Sequence, residues 1–252
     1  MLKSAVSRLR RRLLQGGLLL LVSGLCSLAQ AETVLSVAAG AGYKRPVSEL
    51  GAAFEKKTGI RVEYQFGNLG QVLTQALQNE KLSMVFGDQY YLEKNTQVSF
   101  DHFLPAGRGR LVLAWPAGHS LEKPEDLAGP GFDRVAIPDI TRAIYGRAGS
   151  EFLERSGLAA KIGGHLLTVA TVPQVSAYLL RGEVDAGFIN MTEALSIRQK
   201  LGGYLEIDQK LYDPIQIAFG VVKGRESLPG VSEMSAFMQS DEARAILARY
   251  GL

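Results

Sequence analysis

Five places in this chain set small or amide-bearing residues where an apolar run gives way to a helical pattern. They are Ala41-Gly42 in "SVAAGAGYKRPVSEL", Gly67-Asn68-Leu69-Gly70, residues 139–146, residues 171–174 and Asn190. A helix N-terminus presents N–H groups with no intrahelical acceptor, together with the positive end of the helix dipole. Such groups hold an anion without a formal charge. Small residues let a ligand touch the backbone, although glycine is also the ordinary choice for a tight turn. Asn68, Asn190, Tyr43 and Tyr145 stand beside these turns as side-chain donors. Lys44, Arg45, Arg142 and Arg147 are the nearby cations. Exposed Lys and Arg are the norm, so Lys44 and Arg142 are read as a rim and Arg147 as a solvent-facing helix residue.

Other chemistries are poorly represented. There is no Gly-x-Ser-x-Gly elbow and no His-Glu-x-x-His pair. Three histidines, His102, His119 and His165, and the single cysteine, Cys26, do not make a His/Cys metal set. Asp139 reads as a helix cap and Asp185 as a turn residue rather than as an acid/base pair. The expectation is a binding protein, not an enzyme, with no metal and no cofactor.

The elements that must position these turns alternate. Strand-like runs fall at residues 33–38, 60–66, 84–86, 110–115, 135–138, 165–169, 186–190 and 215–222. Helical stripes lie between them, one opened by Pro46 and stopped by Gly59, another opened by Pro173 and stopped by Gly182. This order implies an α/β fold of parallel sheets flanked by helices. The breaks at Trp115-Pro116 and Asp213-Pro214 suggest two lobes joined by two crossings. Residues 32–114 and 216–252 would form the first lobe and residues 115–215 the second, with the strands at 111–115 and 215–219 as the links. Ligands of open α/β sheets bind beyond the carboxyl ends of the strands, and a cleft between lobes is a preferred site for small ones.

Residues 1–31 read as a secretory signal peptide. Lys3, Arg8, Arg10, Arg11 and Arg12 precede the apolar run 16–28, and Ala29-Gln30-Ala31 is a small-x-small cleavage site. Lipid attachment through Cys26 is the alternative, with bulky Leu25 against it. Cleavage after Ala31 leaves 221 residues, removes the only cysteine and takes the formal net charge from +3 to −2. The basic balance thus belongs to the targeting segment, and no nucleic-acid footprint remains. An exported chain without cysteine relies on its core alone.

The ordered set "LSVAAGAGYKRPVSELGAAFEKKTGIRVEYQFGNLGQVLTQAL", "GDQYYLEK", "LVLAWPAG", "VAIPDITRAIYGRAGSEFLERSGL", "GEVDAGFIN" and "SDEARAILARYGL" resembles the periplasmic molybdate-binding proteins of ABC importers, in the type II binding-protein superfamily. The likeness spans most of the mature chain. It implies a two-lobe fold with a two-strand hinge, and a periplasmic monomer that hands molybdate or tungstate to an inner-membrane ABC permease. A receptor for another small anion (phosphate-like, sulfate-like or a carboxylate), or a sensor without a permease, is the alternative. In that family backbone amides and neutral hydroxyls hold the anion. Mapped onto this sequence, the set is Ala41, Gly42, Asn68, Leu69, Gly70, Tyr145, Gly146, Val172 and Asn190, with Lys44 and Arg142 as a charged rim. Gly146 and Val172 match the family. Ala41 stands where a serine is usual, Asn68 and Leu69 where the loop is serine-rich, and Asn190 where a tyrosine is usual.

The targeting segment carries a direct test. Intact-mass measurement of the exported protein should give a chain beginning at Glu32. A full-length cytoplasmic product, or a lipid on Cys26, is the contrary result.

Overall fold

Residues 33–252 are described by a computed structural model. The signal segment, Cys26 and the cleavage site lie outside the described residues. The first lobe is built on β1 (Val34–Gly40), an apolar run buried at almost every position. Strand β2 (Arg61–Gly67) and strand β3 (Leu82–Asp88) pair with it in parallel, one on each side. Parallel neighbours need a crossover, and helices α1 (Lys44–Thr58) and α2 (Leu69–Gln78) supply it. Helix α1 buries Val47, Leu50 and Phe54 on one face, and Gly59, at a φ of 75°, ends it. Asn68 starts α2 through a capping box: its side chain accepts from the Gln71 amide, and the Gln71 side chain accepts from the Asn68 amide. A short helix, α3 (Gln89–Lys94), follows β3. Strand β10 (Ile215–Val222) returns from the far end of the chain and runs antiparallel between β3 and β4 (Phe100–Gly109). The sheet order is β2-β1-β3-β10-β4.

The second lobe repeats the plan. Strands β5 (Leu111–Trp115), β6 (Val135–Pro138), β7 (Leu166–Val169), β8 (Ala186–Asn190) and β9 (Gly203–Glu206) form a sheet in the order β7-β6-β8-β5-β9. Helix α4 (Ile144–Arg155), the short α5 (Ala159–Ile162) and α6 (Val172–Arg181) connect β6 to β7 and β7 to β8. Helix α7 (Met191–Ile197) leaves β8 directly. The last helices, α8 (Val231–Met238) and α9 (Asp241–Arg249), return to the first lobe. There Phe237 meets Phe54 with ring centroids 5.9 Å apart, and the Tyr250 hydroxyl donates to Glu49 at 2.7 Å.

Two strands were not anticipated from the sequence, and both are edge strands. Strand β4 contains Pro105 and Gly107 and shows no clean alternation. Proline is tolerated where one side of a strand has no ladder to complete. Strand β9 has four residues, none of them buried. The link between lobes also sits earlier than the strand pattern suggested. Leu111–Trp115 is buried throughout and needs neighbours on both sides; β8 and β9 provide them, so it belongs to the second sheet. The first crossing is therefore at Arg110 rather than at 114–115. The second is at 212–214, and the Tyr212 hydroxyl accepts from the Leu111 amide at 3.0 Å, tying the two crossings together. Among the described residues no helix is long and apolar enough to cross a membrane.

Candidate functional site

Four helix starts meet between the lobes. Strand β1 ends at Gly40, and the 3-10 turn Ala41–Tyr43 leads straight into α1. Helix α2 begins at Leu69, α4 at Ile144 and α6 at Val172. All four surround one small, partly open cavity, with Ala41, Gly42 and Leu69 on one side and Tyr145, Thr171 and Val172 on the other. Leu69, Tyr145 and Val172 are in first turns, so their amides have no intrahelical acceptor. The space left for the centre of a water-sized sphere is about 20 Å³, where about 10–15 Å³ suffices for one water. Treated as a ball with a margin of about 1.4 Å, it is roughly 3 Å in radius. That is the size class of a tetrahedral oxyanion. Among the described residues no charged side chain lines it.

The other residues expected at the site have other duties. The Gly70 amide donates to the Arg142 carbonyl at 3.3 Å, and the Gly146 amide to the Ala143 carbonyl at 3.1 Å. Neither glycine lines the cavity. Asn68 lines it, but its Oδ1 caps α2 and its Nδ2 donates to the Ala170 carbonyl of the second lobe at 3.4 Å. Asn190, fully buried, caps α7 by accepting from the Glu193 amide and donates its Nδ2 to the Gly42 carbonyl of the first lobe at 3.2 Å. Both asparagines thus join one lobe to the other, and each side-chain amide read as a ligand donor gives an N–H to a carbonyl of the opposite lobe. The small residues serve the same approach. A Cβ at Gly42 would lie 3.1 Å from Asn190 Nδ2 and 3.3 Å from Val172 Cβ. One at Gly70 would lie 3.0 Å from Arg142 Cγ.

The cations stay outside. Lys44 Nζ lies 5.8 Å from the centroid of the Phe66 ring. Arg142 is largely exposed and turns back onto Asp139, its Nε 2.9 Å from Oδ2. Burial opposes ionisation of Asp139, but donors from Arg142 and Thr141 outweigh it and hold the carboxyl down at about 2. Arg147 differs from its reading as a solvent-facing residue. Only 18% of its side chain is exposed, and it reaches across the lobes to fully buried Asp88 at 3.0 Å and along α4 to Glu151 at 2.8 Å. Burial pushes the Asp88 carboxyl up, and the Arg147 guanidinium pulls it back. At the other side of the cleft Arg45 reaches Glu193 at 2.8 Å.

Beneath the cavity the Tyr43 and Tyr145 hydroxyls bond to each other across the lobes at 2.5 Å. Both rings are buried, and Tyr43 packs edge-on to Phe86. Burial raises both phenols well above the ordinary value of 10, and for Tyr43 the bonds to Tyr145 and Asn190 offset this only in part. Thr171 lies in the turn 171–174 marked from the sequence but was not among the expected site residues; the structure places it on the cavity. Asp185 is held by Arg134, and His165 Nδ1 lies 3.2 Å from the Phe132 carbonyl. Among the described residues no group of His, Cys, Asp and Glu could hold a metal ion.

A family model described as bacterial extracellular solute-binding protein matches residues 35–252. The molybdate-binding protein ModA of Rhodobacter capsulatus is 29% identical over 240 residues, covering 92% of this chain and 93% of that protein. ModA of Azotobacter vinelandii is 27% identical over 239 residues, covering 91% and 93%. The solved periplasmic molybdate-binding protein of Azotobacter vinelandii matches with a TM-score of 0.77 at 23% identity, over 86% of this chain and 97% of that one. That likeness carries the fold: two lobes, each a mixed sheet flanked by helices.

Two measurements follow from the geometry. Gly42→Val should overpack the junction at a cost of about 1–3 kcal/mol, and solution scattering should show a larger radius of gyration. An unchanged radius would mean that the lobes do not need bare backbone there. The phenols set an alkaline limit. Their folded-state pKa values lie above the unfolded value of about 10, so their contribution is complete below that pH and is lost as pH rises through the folded values. Melting temperature should fall above about pH 10, and the fall should be shallower in Tyr43→Phe/Tyr145→Phe. An identical slope in that variant would count against the pair.

Proposed function

The chain belongs to the bacterial extracellular solute-binding protein family, and we propose that it is the periplasmic receptor of an ABC importer, carrying molybdate or tungstate between its lobes. The observation behind this reading is the convergence of four helix N-termini on a small cavity that, among the described residues, no charged side chain lines. Amides at Ala41, Gly42 and Leu69 from one lobe and at Tyr145 and Val172 from the other would hold the oxyanion, with Lys44 and Arg142 outside as a rim. The two relatives named molybdate-binding protein support the same ligand class.

The chemistry favours a fully deprotonated dianion. A desolvated oxyanion needs its lone pairs satisfied, and first-turn amides are already aimed. A protonated oxyanion brings an O–H into a wall of donors. A carboxylate or phosphate receptor would be expected to place a cation at the ligand, whereas Lys44 and Arg142 face Phe66 and Asp139. The small space also suits an inorganic tetrahedron better than an organic acid.

In the working cycle the mature monomer, freed of residues 1–31, takes the anion while the lobes are apart. The two crossings flex, the asparagine and tyrosine bridges form, and the closed receptor docks on the permease. Calorimetry against molybdate, tungstate, sulfate, phosphate and small carboxylates tests the ligand. Molybdate and tungstate should bind most tightly, and at a hundredfold excess over Kd should add about 2.7 kcal/mol of stability. Binding of phosphate or a carboxylate with none of either metalate would replace the reading with the receptor for another anion.

A further inference from the structure

We propose that the Thr171 hydroxyl donates a hydrogen bond to the bound anion and is the side chain by which the second lobe recognises it. This rests on the oxyanion reading above. Thr171 is the N-cap residue of α6, in extended backbone geometry. A threonine there ordinarily turns its oxygen onto the amide of the second or third helical residue. Neither is available here. The second residue is Pro173, which has no N–H, and the Gln174 amide donates to the Thr171 carbonyl at 3.1 Å. The hydroxyl is left without a capping bond, and Thr171 is one of the residues that line the cavity.

The other polar side chains around the cavity are engaged. Asn68 spends its oxygen on the Gln71 amide and its nitrogen on the Ala170 carbonyl. Tyr43 and Tyr145 hold each other. Asn68 and the Tyr43–Tyr145 pair each give a donor to protein, whereas Thr171 is the polar lining side chain, among the described residues, for which the structure gives no hydrogen bond to protein. Its turn is also held in place. The Ala170 amide donates to Gln174 Oε1 at 2.8 Å, the Ala170 carbonyl accepts from Asn68, and the Val175 amide donates to the Thr171 carbonyl at 3.3 Å. Gln174 and Asn68 therefore fix the backbone from both lobes while the hydroxyl makes no capping bond. A ligand that only accepts would turn that O–H toward itself. In the first lobe Ala41 and Leu69 bring no side-chain donor to the cavity, so its aliphatic hydroxyl comes from the second lobe.

Calorimetry with sodium molybdate on wild type, Thr171→Val, Thr171→Ser and Thr171→Ala tests this, with ligand-free melting as the folding control. Thr171→Val should bind about 10- to 100-fold more weakly with unchanged ligand-free melting, and Thr171→Ser should stay near wild type. If Thr171→Val melts early, Thr171→Ser against Thr171→Ala reads the hydroxyl, since those two differ by it alone. Equal affinities for wild type and Thr171→Val, or for Thr171→Ser and Thr171→Ala, would overturn the role of Thr171 while leaving the oxyanion reading intact. A wild-type protein that binds no oxyanion would overturn both.

Discussion

Everything in this cleft depends on how near the backbones of the two lobes come to each other. A hydrogen bond reaches about 3 Å, and the field of a helix terminus fades within its first turn. Helix starts on separate lobes therefore act on one point only if the lobes touch around it. Gly42 and Gly70 meet that requirement by having no side chain where Val172, Asn190 and Arg142 arrive. Tight packing of β1 and its turn against Phe86 and Tyr43 then sets where the first pair of starts can sit.

The contacts that join the lobes at the cavity are mostly neutral. Asn68 and Asn190 each cap a helix on their own lobe and donate to a carbonyl on the other, so one residue fixes a helix start and also the distance to its counterpart. The phenol pair below adds a bond that carries no charge at ordinary pH. Uncharged bridges leave the amide dipoles as the main local field. The charged exceptions, Asp88 with Arg147 and Arg45 with Glu193, do not line the cavity. A buried ion pair brings little net stability, but removal of one partner strands the other. Such a pair favours one arrangement of the lobes more than it tightens it.

Ligand selection in such a site would rest on the count and direction of donors. Cations would attract any anion, whereas fixed N–H groups reward a ligand whose every oxygen can accept. Keeping Lys44 on Phe66 and Arg142 on Asp139 preserves that distinction. The bond from the Leu111 amide to the Tyr212 hydroxyl ties the two crossings to each other.

Much of the fold was legible in the sequence, because buried strands and amphipathic helices write their periods into it. The runs 33–38, 135–138, 186–190 and 215–222 and the helices stopped by Gly59 and Gly182 fall where the pattern put them. Edge strands β4 and β9 did not, since a strand with one free side tolerates proline, glycine and polar residues. The strand-to-helix turns around the cavity were equally visible, being local. What each side chain does there was not. The sequence shows that Asn68 and Asn190 carry amides, but only the tertiary structure brings Ala170 and Gly42 to them and turns them into bridges. It likewise draws Arg147 inward to Asp88. Local propensity depends on neighbours a few residues apart, whereas a hydrogen-bond partner about a hundred residues away is chosen by packing.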